Sequence, residues 1–167
     1  HGMSFDDWGR RFVCHNSDHL QMFVYADRYS NLCKSYPLPT SRQSIASDGP
    51  QANVYRISPV EPWRIVRTRM RVTNQTPGVI EGGGRASGYF TSATGITIYR
   101  GDAFPDDMAG VAIVGDVGSN IVHRKKLVDS GSSMIGHRID PESEFLAATD
   151  TWFRPVQFAN APDGTLY

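Results

Sequence analysis

The sequence predicts an all-β chain, and three observations predict it. Short runs of β-branched and aromatic residues recur between tight turns. Long helical periodicity is missing. The four runs "GITIYRG", "GVAIVGDV", "NIVHRKKLV" and "SMIGHRI" follow one another through short Gly, Asp and Ser turns. Four consecutive short strands form an antiparallel meander, the unit of a propeller blade. The expected architecture is therefore a partial β-propeller of about two four-stranded antiparallel blades plus the start of a third. A β-sandwich is the competing arrangement.

The elements fall in this order. "HGMSFDDWG" opens with an inner strand and a turn, leading into "RRFVCHN" and, across the polar turn "NSD", into "HLQMFVYA". Asp27 to about Gln51 is rich in Ser, Pro and Asn and reads as an inserted loop. "ANVYRIS" and "WRIVRTRMRV" read as strands. In the second, Arg67, Arg69 and Arg71 alternate with Val66, Thr68, Met70 and Val72, the period of a strand with one wet face. "TNQTPGVIEGGGRASG" is a loop, and "AFPDDMAG" is expected to make one helical turn. "RPVQFAN", "APDG" and "TLY" repeat the strand and turn of the opening. Residues 1–167 thus form one partial propeller domain: an enlarged blade over 1–75 with its insert near 27–51, a regular blade over 89–140, and the next blade starting at 152–167. Beginning and ending on the same unit, the chain is expected to be a fragment of a longer propeller of about six blades.

Composition excludes several classes. Lys plus Arg number 17 and Asp plus Glu 17, so the formal net charge is zero and no basic footprint of a nucleic-acid binder is present. No apolar run approaches the ~20 residues of a membrane span. Two cysteines occur, Cys14 and Cys33. They are either two separate thiols or one bridge, and spacing does not decide between these.

Topology sorts the loops before chemistry is considered. In a meander, "DDWG" and "APDG" emerge on one face. His1, His15–His19, Glu81–Gly88, Gly115–Asn120 and Trp152–Pro155 gather on the other. Cys14, His15, Asp18 and His19 include metal-ligand types, yet alternation sends His15 away from Cys14 and no second pair completes a tetrahedral set. "EGGGRASG" lacks the spacing and helix of a phosphate loop, although Arg85 can hold an anion. Asp140–Glu144 reads as a solvated corner, and "VHRKKL" as the wet face of an outer strand.

With those stretches in place, the chain resembles the membrane-bound dehydrogenase propellers of the PVC type, relatives of the glucose/sorbosone dehydrogenase-like quinoproteins. The resemblance is carried by "HGMSFDDWGRRFVCHNSDH", "EGGGRASGYFTSATGITIYRGDAFP", "GVAIVGDVGSNIVHRKKL" and "FRPVQFANAPDGTLY". It implies a periplasmic or extracellular oxidoreductase acting on a sugar or alcohol. It also implies pyrroloquinoline quinone on the loop face and an electron-accepting cytochrome as partner, with haem only in a region outside this chain. By the same resemblance His1 would take the hydroxyl proton. Arg85 and Arg154 would grip the cofactor's carboxylates, with Asp116, Asn120 and Gln157 as polar neighbours; no metal is implied. Two other functions remain open: a non-catalytic propeller binding a glycan or partner protein, and a structural β-domain.

Overall fold

The computed structural model describes residues 1–30, 32 and 35–167. The pairing of Cys14 with Cys33 lies outside the described residues.

The first sheet is an antiparallel meander of β1 (Gly2–Phe5), β2 (Arg11–His15), β3 (Asp18–Phe23) and β4 (Arg42–Ser44), paired in that order. Asp6 closes its first hairpin. One carboxylate oxygen accepts the backbone N–H groups of Trp8 (3.0 Å) and Arg10 (2.8 Å), the local bonding that makes Asp a turn residue. A single turn, α1 (Asp27–Ser30), follows β3. The fourth strand arises inside the stretch expected to be a loop: Arg42 pairs with Phe23 and Ser44 with Gln21.

The stretch "WRIVRTRMRV" overturns its expectation. It is a helix, α2 (Pro62–Val72), not a strand. Pro62 stands in the first turn, where its fixed φ suits a helix and its missing N–H costs nothing. Arginine is a good helix former, and Arg64, Arg67 and Arg71 fall on one side at helical spacing. Arg64 is buried, while Trp63, Ile65, Val66 and Met70 face outward. Period-2 alternation in ten residues also satisfies a helical period when charged groups, not apolar ones, have partners inside. "ANVYRIS" likewise forms no strand; Asn53 makes an isolated bridge to Tyr89.

The second sheet holds β5 (Ala93–Ile98), β6 (Ala112–Asp116), β7 (Ile121–Ser130) and β8 (Ser133–Arg138) in sequential antiparallel order, as the four runs predict. A short fifth strand, β9 (Leu146–Ala147), pairs with the start of β7. The described residues are thus mostly β, with two antiparallel sheets, few helices and no closed barrel among them.

Both faces of the second sheet are covered. Ala93, Ile96, Ile98, Ala112, Val114 and Ile121 pack against Phe12, Cys14, Leu20 and Met22 of the first sheet. Tyr99, Val111, Ile113 and Val122 pack against Phe153, Phe158 and Leu166 of the C-terminal segment. Double coverage explains why "GITIYRG" and "GVAIVGDV" read as continuous apolar runs. The C-terminal segment is a small hairpin. Ala159 and Tyr167 exchange backbone hydrogen bonds (2.8 and 2.9 Å), and Tyr99 donates its hydroxyl to Gly164 O at 2.5 Å.

Three segments meet backbone to backbone through glycine. A Cβ on Gly2 would stand 2.7 Å from the Ile96 nitrogen, and one on Gly95 would stand 2.9 Å from Val156 O. Gly95 also has φ +64°, at the irregularity in the pairing of β5 with β6. Side by side therefore lie β1, β5 and residues 156–158.

Two polar expectations are corrected. Along β7, Ile121, His123 and Lys125 alternate inward, so His123 and Lys125 are buried instead of lying on a wet face. Glu144, expected at a solvated corner, has a fully buried side chain. Each charge is tolerated because it is hydrogen-bonded: Lys125 Nζ lies 2.5 Å from the carboxylate of Asp48, which reaches solvent, and Glu144 accepts from His123 and Arg138.

Candidate functional site

The loops after β6 and before residue 155 converge with the segment leading into β5. Asp116 ends β6 fully buried. Its carboxylate accepts the N–H of Gly118 (2.8 Å), the N–H of Thr91 (3.1 Å) and the Ser119 hydroxyl (3.3 Å). Burial pushes the Asp116 carboxyl above its usual range, against the pull of those donors and of Arg64. Asn120 is equally committed. Its Oδ1 accepts from the Ser58 hydroxyl (2.8 Å), and its Nδ2 donates to Thr151 O (3.2 Å) and Phe153 O (2.7 Å). These two residues tie three chain segments together, and their polar capacity is spent on that task.

Over this scaffold lies an arginine cluster that the sequence reading did not assemble. Arg56, Arg64 and Arg154 surround Glu61. Arg56 Nη1 is 3.6 Å from Glu61 Oε2, Arg64 Nε is 3.5 Å from the same oxygen, and Arg154 Nη2 is 3.9 Å from Oε1. Arg56 is oriented by donating to Ser58 Oγ (2.8 Å), Pro59 O (2.6 Å) and Gly118 O (3.3 Å). Arg64 donates to Thr91 Oγ1 at 3.1 Å and Arg154 to Val117 O at 3.2 Å. Gly118 leaves room for these side chains, since a Cβ would stand 2.7 Å from Thr91 Oγ1 and 3.0 Å from Arg64 Nη2 and would make them shift. Burial holds the Arg56 guanidinium below its ordinary value; Glu61 opposes that shift and Arg64 reinforces it.

The other expected residues distribute unevenly. The His1 amino group lies 3.3 Å from Thr94 Oγ1, which donates to Val156 O at 2.9 Å, so the start of the chain sits two residues along from Arg154. Its imidazole is exposed and bonds to no described residue. Gln157 is exposed, and its side chain donates to its neighbour's carbonyl, Phe158 O, at 3.2 Å. Arg85 stands outside the Glu61 cluster. It donates to Gly82 O (2.9 Å) and Asn53 Oδ1 (3.1 Å) and lies 5.6 Å from the Tyr89 ring centre. The structure thus brings His1, Asp116 and Arg154 to the ends of one set of strands, with Arg85 on a neighbouring patch beside α2. Local pattern does not single out Arg56, in the strand-like "ANVYRIS", or Arg64, in a run whose alternation suits a strand, and it gives Glu61 no partner. Glu-Pro ahead of an arginine-rich run was the available signal.

A second polar centre lies between the sheets. The His19 ring stacks on Phe90 (centroids 4.1 Å, planes 4° apart), with His123 edge-on to both. His19 Nδ1 bonds Pro50 O at 2.8 Å and His123 Nδ1 bonds Glu144 at 2.6 Å, while both Nε2 atoms are buried without partners. At the opposite end of the sheets, Asp6, Trp8, Arg10, Arg100 and Asp107 line a cleft of about 350 Å³. Among the described residues, no group of three or more His, Cys, Asp or Glu converges in a metal-holding arrangement. No helix there is long and apolar enough to cross a membrane.

Fold and site together define a class: stacked antiparallel sheets whose connecting loops carry an arginine cluster at one end. The chain belongs to the family described as Domain of unknown function (DUF7133), which matches residues 1–167. No curated protein and no solved structure gives a significant match.

Proposed function

We propose that the chain is part of a β-propeller whose loop end binds a carboxylated ligand, and that it acts as a quinoprotein-like dehydrogenase on a sugar or alcohol. One observation carries the ligand reading: three guanidinium groups from separate parts of the chain gather around one carboxylate at the loop end of the sheets. Buried arginines converge where planar carboxylates are to be held, because the guanidinium fork matches them. The propeller reading is supported by two successive meanders and by the glycine-mediated stacking of β1, β5 and residues 156–158.

The charge of this donor set supports pyrroloquinoline quinone as the ligand, and Arg64 Nε is buried without an acceptor. Arg154, Arg64 and Arg56 would hold its carboxylates. When bound, the quinone would accept hydride from the alcohol carbon. His1, exposed near Thr94, would take the hydroxyl proton. Asp116 and Asn120 would act by fixing the loop. An exported location and a cytochrome acceptor accompany this reading.

Titrating the protein with the quinone tests it. Arg154→Lys should weaken binding by on the order of 1–3 kcal/mol, because a point charge cannot reproduce a two-pronged grip. Unchanged affinity in that variant, or no binding at all, would end the cofactor reading. A glycan-binding role is favoured by one feature, Trp152, which is 86% exposed beside these loops. Oligosaccharide binding lost in Trp152→Ala would establish that role.

A further inference from the structure

We infer that Glu61 is a built-in occupant of the anion site, a carboxylate that fills the arginine cluster and is displaced when a ligand carboxylate enters. The inference rests on the arginine cluster being a ligand site and adds how that site is regulated.

Four observations support it. The contacts of Glu61 are loose: 3.5, 3.6 and 3.9 Å to three guanidinium groups, with none at hydrogen-bond distance. A buried charge with a purely structural partner closes to bonded geometry, as Lys125 does with the partly exposed Asp48 at 2.5 Å. Next, Glu61 Oε2 and Arg64 Nε are both buried and both lack a hydrogen-bond partner. Arg64 is 7% exposed, so its unmet donor faces the interior of the cluster and not water. Thirdly, Glu61 is the N-cap of α2 and yet its side chain makes no capping bond. The carboxylate leaves the first α2 N–H groups uncapped and reaches the guanidinium groups, that of Arg64 in the first helical turn among them.

The fourth observation is access. The side chain of Arg154 is 42% exposed, whereas those of Arg56 and Arg64 are 6% and 9% exposed. The cluster is thus open on one side and closed on the others. An anion entering past Arg154 meets Glu61 first. Glu61 also stands where an extended segment becomes a helix, with φ −63° and ψ 129°, so its side chain can swing outward without unwinding α2. Three guanidinium groups face Glu61 and the nearby Asp116 carboxylate, and release of Glu61 leaves an excess of positive charge. That excess and the α2 N-terminus both favour a planar carboxylate ligand.

Oxalate is the probe, with sodium chloride at matched ionic strength as control. A site occupied by its own carboxylate most of the time binds a competitor more weakly by the fraction that is open. Glu61→Gln is therefore expected to bind oxalate about ten-fold tighter than the wild type. Adding Arg154→Gln to that variant should remove the gain. In the wild type, oxalate should shift the Arg64 Nε–H resonance. No tighter binding by Glu61→Gln overturns the inference. Should Glu61→Gln fail to fold, recovery of its cooperative melt by oxalate but not chloride supports the displacement, and no recovery overturns it. Gain of oxalate affinity without any quinone binding would end the cofactor reading alone. Quinone binding with no oxalate gain would end only the displacement.

Discussion

His123 donates its Nδ1–H to Glu144 Oε2 across 2.6 Å, and water reaches neither side chain. The same carboxylate accepts the Tyr55 N–H at 2.8 Å and the Arg138 guanidinium at 3.3 Å, joining β7, β8 and the segment after β4. Glu144→Ala should therefore cost about 3–5 kcal/mol, because it strands buried donors. Glu144→Gln keeps one acceptor oxygen and should cost clearly less. Urea unfolding of both variants checks this, and equal losses would show that the donors are not what Glu144 serves.

His19 makes stability depend on pH. Burial, reinforced by Lys125 and His123, lowers its pKa to about 3 from an ordinary 6.5. Below about pH 6.5 the unfolded chain takes up a proton that the folded protein refuses. Stability present above that pH is therefore lost as pH falls toward 3, by up to about 1.4 kcal/mol per pH unit. His123, also lowered by burial, acts in the same direction. Melting temperatures between pH 7.5 and 5 should fall more steeply for the wild type than for His19→Asn. Parallel slopes would contradict this account.

Gly95 and Gly131 separate strain from contact. Both have positive φ, +64° and +60°, but a Cβ on Gly131 meets open space while one on Gly95 meets Val156 O at 2.9 Å. Gly131→Ala should cost about 1 kcal/mol from backbone conformation alone. Gly95→Ala should cost about 1–3 kcal/mol more, and amide exchange should accelerate at residues 156–160 relative to β6 and β7. Equal costs would mean that the C-terminal segment does not depend on this close approach.

Asp116 and Arg154 should behave as residues of different kinds. Asp116→Ala leaves the Thr91 and Gly118 N–H groups without acceptors and should cost about 2–4 kcal/mol of stability. Arg154→Lys lies on an exposed side chain and should leave the melting temperature within about 1 °C. Ligand affinity should fall in both, but only the Asp116 variant should lose stability in proportion. A stable Asp116→Ala protein with impaired binding would return Asp116 to a direct ligand role.

The sequence by itself determined the second sheet. "GITIYRG" through "SMIGHRI" holds strand-length apolar runs and turn residues at every junction, and local preference agrees with the final pairing from Ala93 to Arg138. The turn between β6 and β7, which holds Asp116 and Asn120, was legible in the same way. Only the tertiary structure decided α2, since ten residues of alternating arginine satisfy either period until Glu61 and Glu81 supply partners on one side. It likewise decided that Lys125 and Glu144 are buried. "VHRKKL" and "DPESE" look like solvated charge until Asp48, 77 residues away in sequence, pairs with Lys125, and His123, 21 residues away, donates to Glu144. Polar burial is a pairwise property between distant positions, so local pattern does not reveal it, and the arginine cluster around Glu61 was hidden for the same reason.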